Sequence, residues 1–142
     1  MEAMYLIALL VIVGVTYGIY DHYRMRKIVR ARGEPNICAY ARSFDYRNTD
    51  TKIMREVWNE LQLYLGEYDG KSFPVEADDL FTDTYHLDPD DLDEIYCAVA
   101  DRLGIDTENP ESNPYFNQVK SVKNLVLFLH NQAISSKKWK HY

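Results

Sequence analysis

Apolar and polar positions divide the chain into stretches of different kind. From Ala3 to Tyr20, in AMYLIALLVIVGVTYGIY, eighteen residues pass without a charge. At a rise of about 1.5 Å per residue, a helix of that length covers roughly 27 Å, close to a hydrocarbon core of about 30 Å. An amphipathic core helix keeps a polar face, and this run keeps none. It predicts a transmembrane helix over 3–20. The rival reading is a cleaved secretory signal, which needs a basic start and a small-x-small site. Met1-Glu2-Ala3 brings no Lys or Arg, and Gly14, Thr16 and Gly18 make a poor cleavage site.

Beyond the run the period changes. Residues 21–48 read as a basic juxtamembrane connector, helical through Arg30 and broken at Gly33-Glu34-Pro35-Asn36; Ile37 to Asn48 has no clear period. A helical domain is expected over 49–133. Thr49-Asp50 announces its first helix, in which Ile53, Met54, Val57, Trp58, Leu61 and Leu65 recur at three and four. Asp69-Gly70 is a turn. A long aperiodic stretch follows, with Phe73, Val75, Leu80 and Phe81 as candidates to pin it over the core. Asp88 suits the N-cap of a second helix and Pro89 its first position, where a missing N–H costs nothing. Leu92, Ile95, Tyr96, Val99 and Leu103 make its apolar face, and Gly104 closes it. A short helical turn is expected over Pro114–Val119. A last helix begins near Ser121, with Val122, Leu125, Val126, Phe128 and Leu129 inward. Residues 134–142 read as a frayed basic tail. The fold class is therefore all-α: a transmembrane helix followed by a small four-helix bundle.

Charge adds an orientation. Arg24, Arg26, Lys27, Arg30 and Arg32 follow the apolar run against one acid, Asp21, before Glu34. Lys and Arg are retained on the cytoplasmic side, so the N-terminus is expected outside and the domain in the cytoplasm, in a bacterial inner membrane. Beside a spanning helix this cluster reads as a topology signal rather than a nucleic-acid site. Tyr17, Tyr20 and Tyr23 fall where interfacial aromatics do. Cys38 and Cys97 lack metal-like spacing and are expected as free thiols, with Cys97 in the apolar stripe of its helix.

The order of elements resembles that of acyl carrier proteins. The family's Leu-Gly-Ala-Asp-Ser-Leu-Asp-like motif is similar to Leu87-Asp88-Pro89-Asp90-Asp91-Leu92-Asp93. Its Phe-Gly-Ile resembles Leu103-Gly104-Ile105, and its closing helix resembles Ser121–Leu129. The likeness covers about 85 residues and implies a carrier-like bundle. In the family a serine of that motif carries a phosphopantetheine arm through a phosphodiester. Asp91 stands at that position, and a carboxylate cannot form that stable linkage. The likeness thus implies a carrier-like domain that carries no cofactor.

The acids remain to be explained. Glu76 to Glu94 holds nine acids and no Lys or Arg, and residues 43–134 hold 19 acids against 7 bases. Acids in a first helical turn gain about 0.3–1 kcal/mol each from the helix dipole, which covers Asp88, Asp90 and Asp91 but not the density of the run. Complementary charge steers encounter, so Asp90, Asp91, Asp93 and Glu94 are the candidate contacts for a basic protein partner, beside a plain capping and solubility role. The run fails as a calcium loop, since its sixth and twelfth positions are Asp93 and Val99 rather than Gly and Glu. His22, His86, His130 and His141 make no ligand set, and no nucleophile or phosphate-loop motif is present, so neither an enzyme nor a metal protein is expected. Gly14 and Gly18 form a GxxxG, a spacing that lets two membrane helices approach; homodimerisation there stands beside the plainer fact that Gly is common in such helices. The reading is a membrane-anchored, non-enzymatic interaction module. Its alternatives are a working acyl or peptidyl carrier whose serine lies elsewhere, and a small inner-membrane accessory or immunity protein.

Overall fold

The computed structural model describes residues 1–139, with side chains through 134. The first helix, α1, runs unbroken over Glu2–Arg32 and ends at Gly33, whose φ of 79° suits a residue without a Cβ. It is long and apolar enough to cross a membrane, and none of its most apolar stretch is buried. Its last third behaves differently: Met25 and Val29 are 2% and 5% exposed, inside the same core as the helices that follow. The stretch expected as a connector is therefore largely structural. Its second half also contributes, through α2 (Ile37–Arg42), which the sequence pattern did not reveal. Asn36 caps α2 by accepting from the Ala39 N–H at 2.9 Å. Tyr40 and Phe44 are buried, and the Tyr40 hydroxyl donates to the Met54 carbonyl at 3.2 Å.

Helix α3 (Thr51–Leu65) forms the centre, capped by Asp50, which accepts from the Lys52 N–H. Val57 and Leu61 are fully buried on its inward stripe. A two-residue hairpin follows, β1 (Glu67–Tyr68) with β2 (Lys71–Ser72), pairing Glu67 with Ser72 and Tyr68 with Lys71. Its turn, Asp69-Gly70, has both residues at positive φ, the geometry that fits the twist of paired strands. The sequence marked the turn but not the strands, which are too short to show a period.

Helices α4 (Pro89–Leu103) and α5 (Val122–Trp139) pack on α3 and on each other. Gly104 closes α4 in the left-handed region. The minor helix is a 3-10 turn over Pro110–Ser112, earlier than the expected Pro114–Val119; there, residues 114–117 form only turns. Cys97 is exposed rather than packed, and so is Cys38: Cys97 follows Ile95 by two residues, about 200° around the helix. The helix of the tail continues to Trp139, while Lys140, His141 and Tyr142 lie outside the described residues. The described fold is thus mostly helical, with one small hairpin.

The long stretch between β2 and α4 is tied at both sides. Phe73, Val75, Ala77, Phe81 and Tyr85 are buried, whereas Leu80 is 38% exposed. Its backbone caps α5: Val122 N–H donates to the Asp79 carbonyl at 3.0 Å and Lys123 N–H to the Ala77 carbonyl at 2.7 Å. The first N–H groups of a helix have no partner of their own, and this loop supplies acceptors for two of them. Ser121 adds one more, its Oγ accepting from the Asn124 N–H.

Candidate functional site

Two charged regions meet along the loop. The first is the seam between α1 and residues 69–86. Arg32 donates to both carboxylate oxygens of Asp79, at 2.6 and 2.8 Å, and to the Pro74 carbonyl at 3.0 Å. Asp79 is 4% exposed and also accepts from the Tyr85 hydroxyl at 2.6 Å and the Glu76 N–H at 2.9 Å. The Asp79 hydrogen bond is the main cause that raises the Arg32 pKa above its usual value. Burial, then the adjacent Asp79 charge, pushes the Tyr85 phenol up. Higher on the helix, Arg26 and Arg30 pair with Asp69, and Arg24 donates to the carbonyls of Asp83 and Thr84 at 3.1 and 2.8 Å. His86 Nδ1 lies 2.9 Å from Asp21 Oδ1 and 3.2 Å from the Tyr17 hydroxyl.

The basic cluster after the apolar run therefore has an internal role besides any topological one. Asp79, grouped with the solvated acids by sequence, is a buried ion-pair partner. The missed residues on this seam are Met25, Val29, Arg32 and Asp79. Met25, Ile28 and Val29 recur at three and four, a stripe that two turns of basic residues obscure.

The second region is the start of α4. Asp88 accepts from the Asp91 N–H at 2.9 Å, and Asp91 accepts from the Asp88 N–H at 3.1 Å, forming a reciprocal capping box. Asp91, at the position where the carrier likeness would put serine, thus has a local job. Glu94 accepts from the Tyr64 hydroxyl at 2.5 Å, and that bond is the main cause holding the Tyr64 phenol at about 12. Asp90 and Asp93 are exposed and have no hydrogen-bond or ion-pair partner among the described residues. Of the four candidate contacts, two are engaged within the fold and two are open to solvent.

Beside this turn runs a groove of about 720 Å³, bordered by Leu80, Phe81, Leu87, Pro89, Leu92 and Val119. It adjoins a hollow of about 250 Å³ between α4 and α5 that Tyr96, Phe116 and Phe128 line. Burial, ahead of the neighbouring Cys97 and Asp93, pushes Tyr96 up to about 12. No group of three or more His, Cys, Asp or Glu among the described residues could hold a metal ion. Gly14 and Gly18 lie in the exposed part of α1, with open space where a Cβ would stand. The chain matches no protein-family model, no curated protein and no solved structure.

Proposed function

We propose that this chain is a single-pass membrane protein, N-terminus outside, whose cytoplasmic carrier-like helical domain is a non-enzymatic interaction module. The observation that carries the reading is the split within α1. Its apolar stretch is wholly unburied, while Met25 and Val29 of the same helix are core residues. A core helix of a soluble protein would bury its apolar part and expose its charged part. This helix leaves its most apolar stretch uncovered and buries only Met25 and Val29, within its basic last third, which suits a span that leaves the bilayer and enters the domain. The excess of Lys and Arg on the domain side supports the orientation.

The exposed acids at the start of α4 support docking of a basic partner, with Asp90 and Asp93 as primary contacts and Asp91 and Glu94 beside them. The capping role of Asp91 supports a carrier-like domain without an attached arm. The test is affinity capture of the intact protein from membranes, compared with an Asp90→Lys/Asp93→Lys variant. The variant should lose the captured partner while keeping the helical signal of the wild type. Equal capture by both proteins would remove the acidic helix from the reading.

A further inference from the structure

We propose that the segment Thr82–His86 sits in the lipid headgroup layer, so that the domain is seated directly against the bilayer rather than hung from a tether. The proposal rests on the reading of α1 as a membrane span. Helix α1 has no break between Glu2 and Arg32, so residue number along it measures height. The loop descends beside it in register. His86 meets Tyr17 and Asp21, Asp83 and Thr84 meet Arg24, and Asp79 and Pro74 meet Arg32. At about 1.5 Å per residue, Arg32 stands roughly 22 Å farther along the helix than Tyr17. His86 is thus level with the last turn of the apolar run, and Asp79 lies far below it.

The height has little freedom. The uncharged run covers roughly 27 Å of a core about 30 Å thick. Raising α1 out of the bilayer would leave a span too short for the core. Sinking it would take Asp21 and Arg24, with the loop carbonyls that Arg24 holds, into hydrocarbon. Tyr20 and Tyr23, 61% and 67% exposed, mark the same level as interfacial aromatics. Thr82, Asp83 and His86 are exposed polar residues and Leu80 is partly exposed, a composition that tolerates headgroups and their water. The groove beside α4, bordered by Leu80, Phe81 and Leu87, then opens near the membrane plane.

The test uses the full chain with Cys38 and Cys97 replaced by serine. Single cysteines are placed at Val11, Thr82 and Asp78 and labelled with an environment-sensitive fluorophore. The protein is reconstituted into phosphatidylcholine–phosphatidylglycerol vesicles containing nitroxide lipids. Chain-borne nitroxide should quench the label at Val11. Headgroup-borne nitroxide should quench Thr82 several-fold more than Asp78, which is exposed one residue from the deep-set Asp79. If Val11 is quenched and Thr82 behaves like Asp78, the domain stands off the bilayer: the seating is wrong and the anchor survives. An unquenched Val11 would overturn both.

Discussion

Arg32, the last residue of α1, grips both carboxylate oxygens of the buried Asp79 across a separation of 47 residues. The pair joins three elements at one point: the end of the long helix, the loop through Tyr85 and Glu76, and the start of α5 through the Asp79 carbonyl. Arg32 also lies over the Phe73 ring, 5.9 Å from its centre. Removing one partner of a buried pair leaves the other charge without compensation. Arg32→Met should therefore destabilise the domain by about 3 kcal/mol, the low end for a broken buried pair, because Arg32 keeps some contact with water. Adding Asp79→Asn should recover much of that loss, since the amide oxygen can still accept from Tyr85 and Glu76. Urea unfolding of the detergent-solubilised chain, followed by circular dichroism, reads both. An unchanged midpoint for Arg32→Met would deny the pair its structural role.

Alkaline pH should weaken the fold through its buried tyrosines. Burial raises the pKa of Tyr40 and Tyr85, which are 3% and 4% exposed. In the unfolded chain both ionise near pH 10. Above that pH the unfolded state binds fewer protons than the folded one, so stability falls as pH rises. Each of the two contributes a slope of up to about 1.4 kcal/mol per pH unit. Stability should be flat below about pH 10 on their account and decline beyond it. Tyr85→Phe should lower stability at neutral pH, by removing the donor to Asp79, yet make the alkaline decline shallower. A decline equally steep in that variant would exclude Tyr85 as one of its sources.

The seam also separates local from long-range signals in the sequence. The starts of α3 and α4 are legible in the sequence because their signals are local, Asp50 and Asp88 as caps, and Gly104 marks the end of α4; α3 ends at Gly66, before the Asp69-Gly70 turn that the sequence marks. The start of α5 is legible near Ser121, whose Oγ accepts from the Asn124 N–H, but its other two acceptors come from Ala77 and Asp79 in a distant loop. Asp79 looked like its acidic neighbours because burial depends on Arg32, and no window of sequence contains both. In the same way the sequence puts Asp91 in the first turn of α4, whereas its exchange of hydrogen bonds with Asp88 depends on the backbone geometry of that turn.

That exchange makes the carrier likeness testable by chemistry. Wild-type protein co-expressed with a phosphopantetheinyl transferase should show no added mass, because its aligned position offers a carboxylate. Asp91→Ser places a hydroxyl at the third position of α4. It should weaken the cap only modestly, within the roughly 0.5–2 kcal/mol that caps contribute. If the surrounding helices are carrier-like enough for the transferase, this variant gains the arm and intact-mass spectrometry detects it. An arm on the wild type would instead reveal an attachment serine elsewhere and reinstate a working carrier.

The small residues of α1 face an obstacle. Gly14 and Arg32 are eighteen residues apart, roughly five full turns at about 3.6 residues per turn, so they share one side of the helix. Gly18 and Met25 differ by a heptad, only about 20° from alignment. Met25, Val29 and Arg32 are the residues through which α1 meets the domain. A second copy laid parallel against Gly14 and Gly18 would run its own lower half into residues 74–86. Homodimerisation through this GxxxG is therefore expected to fail in the full chain. Gly14→Leu and Gly18→Leu should leave its oligomeric state in detergent and its crosslinking in vesicles unchanged. A dimer that these substitutions dissolve would mean that the two lower helices diverge enough to clear the domains.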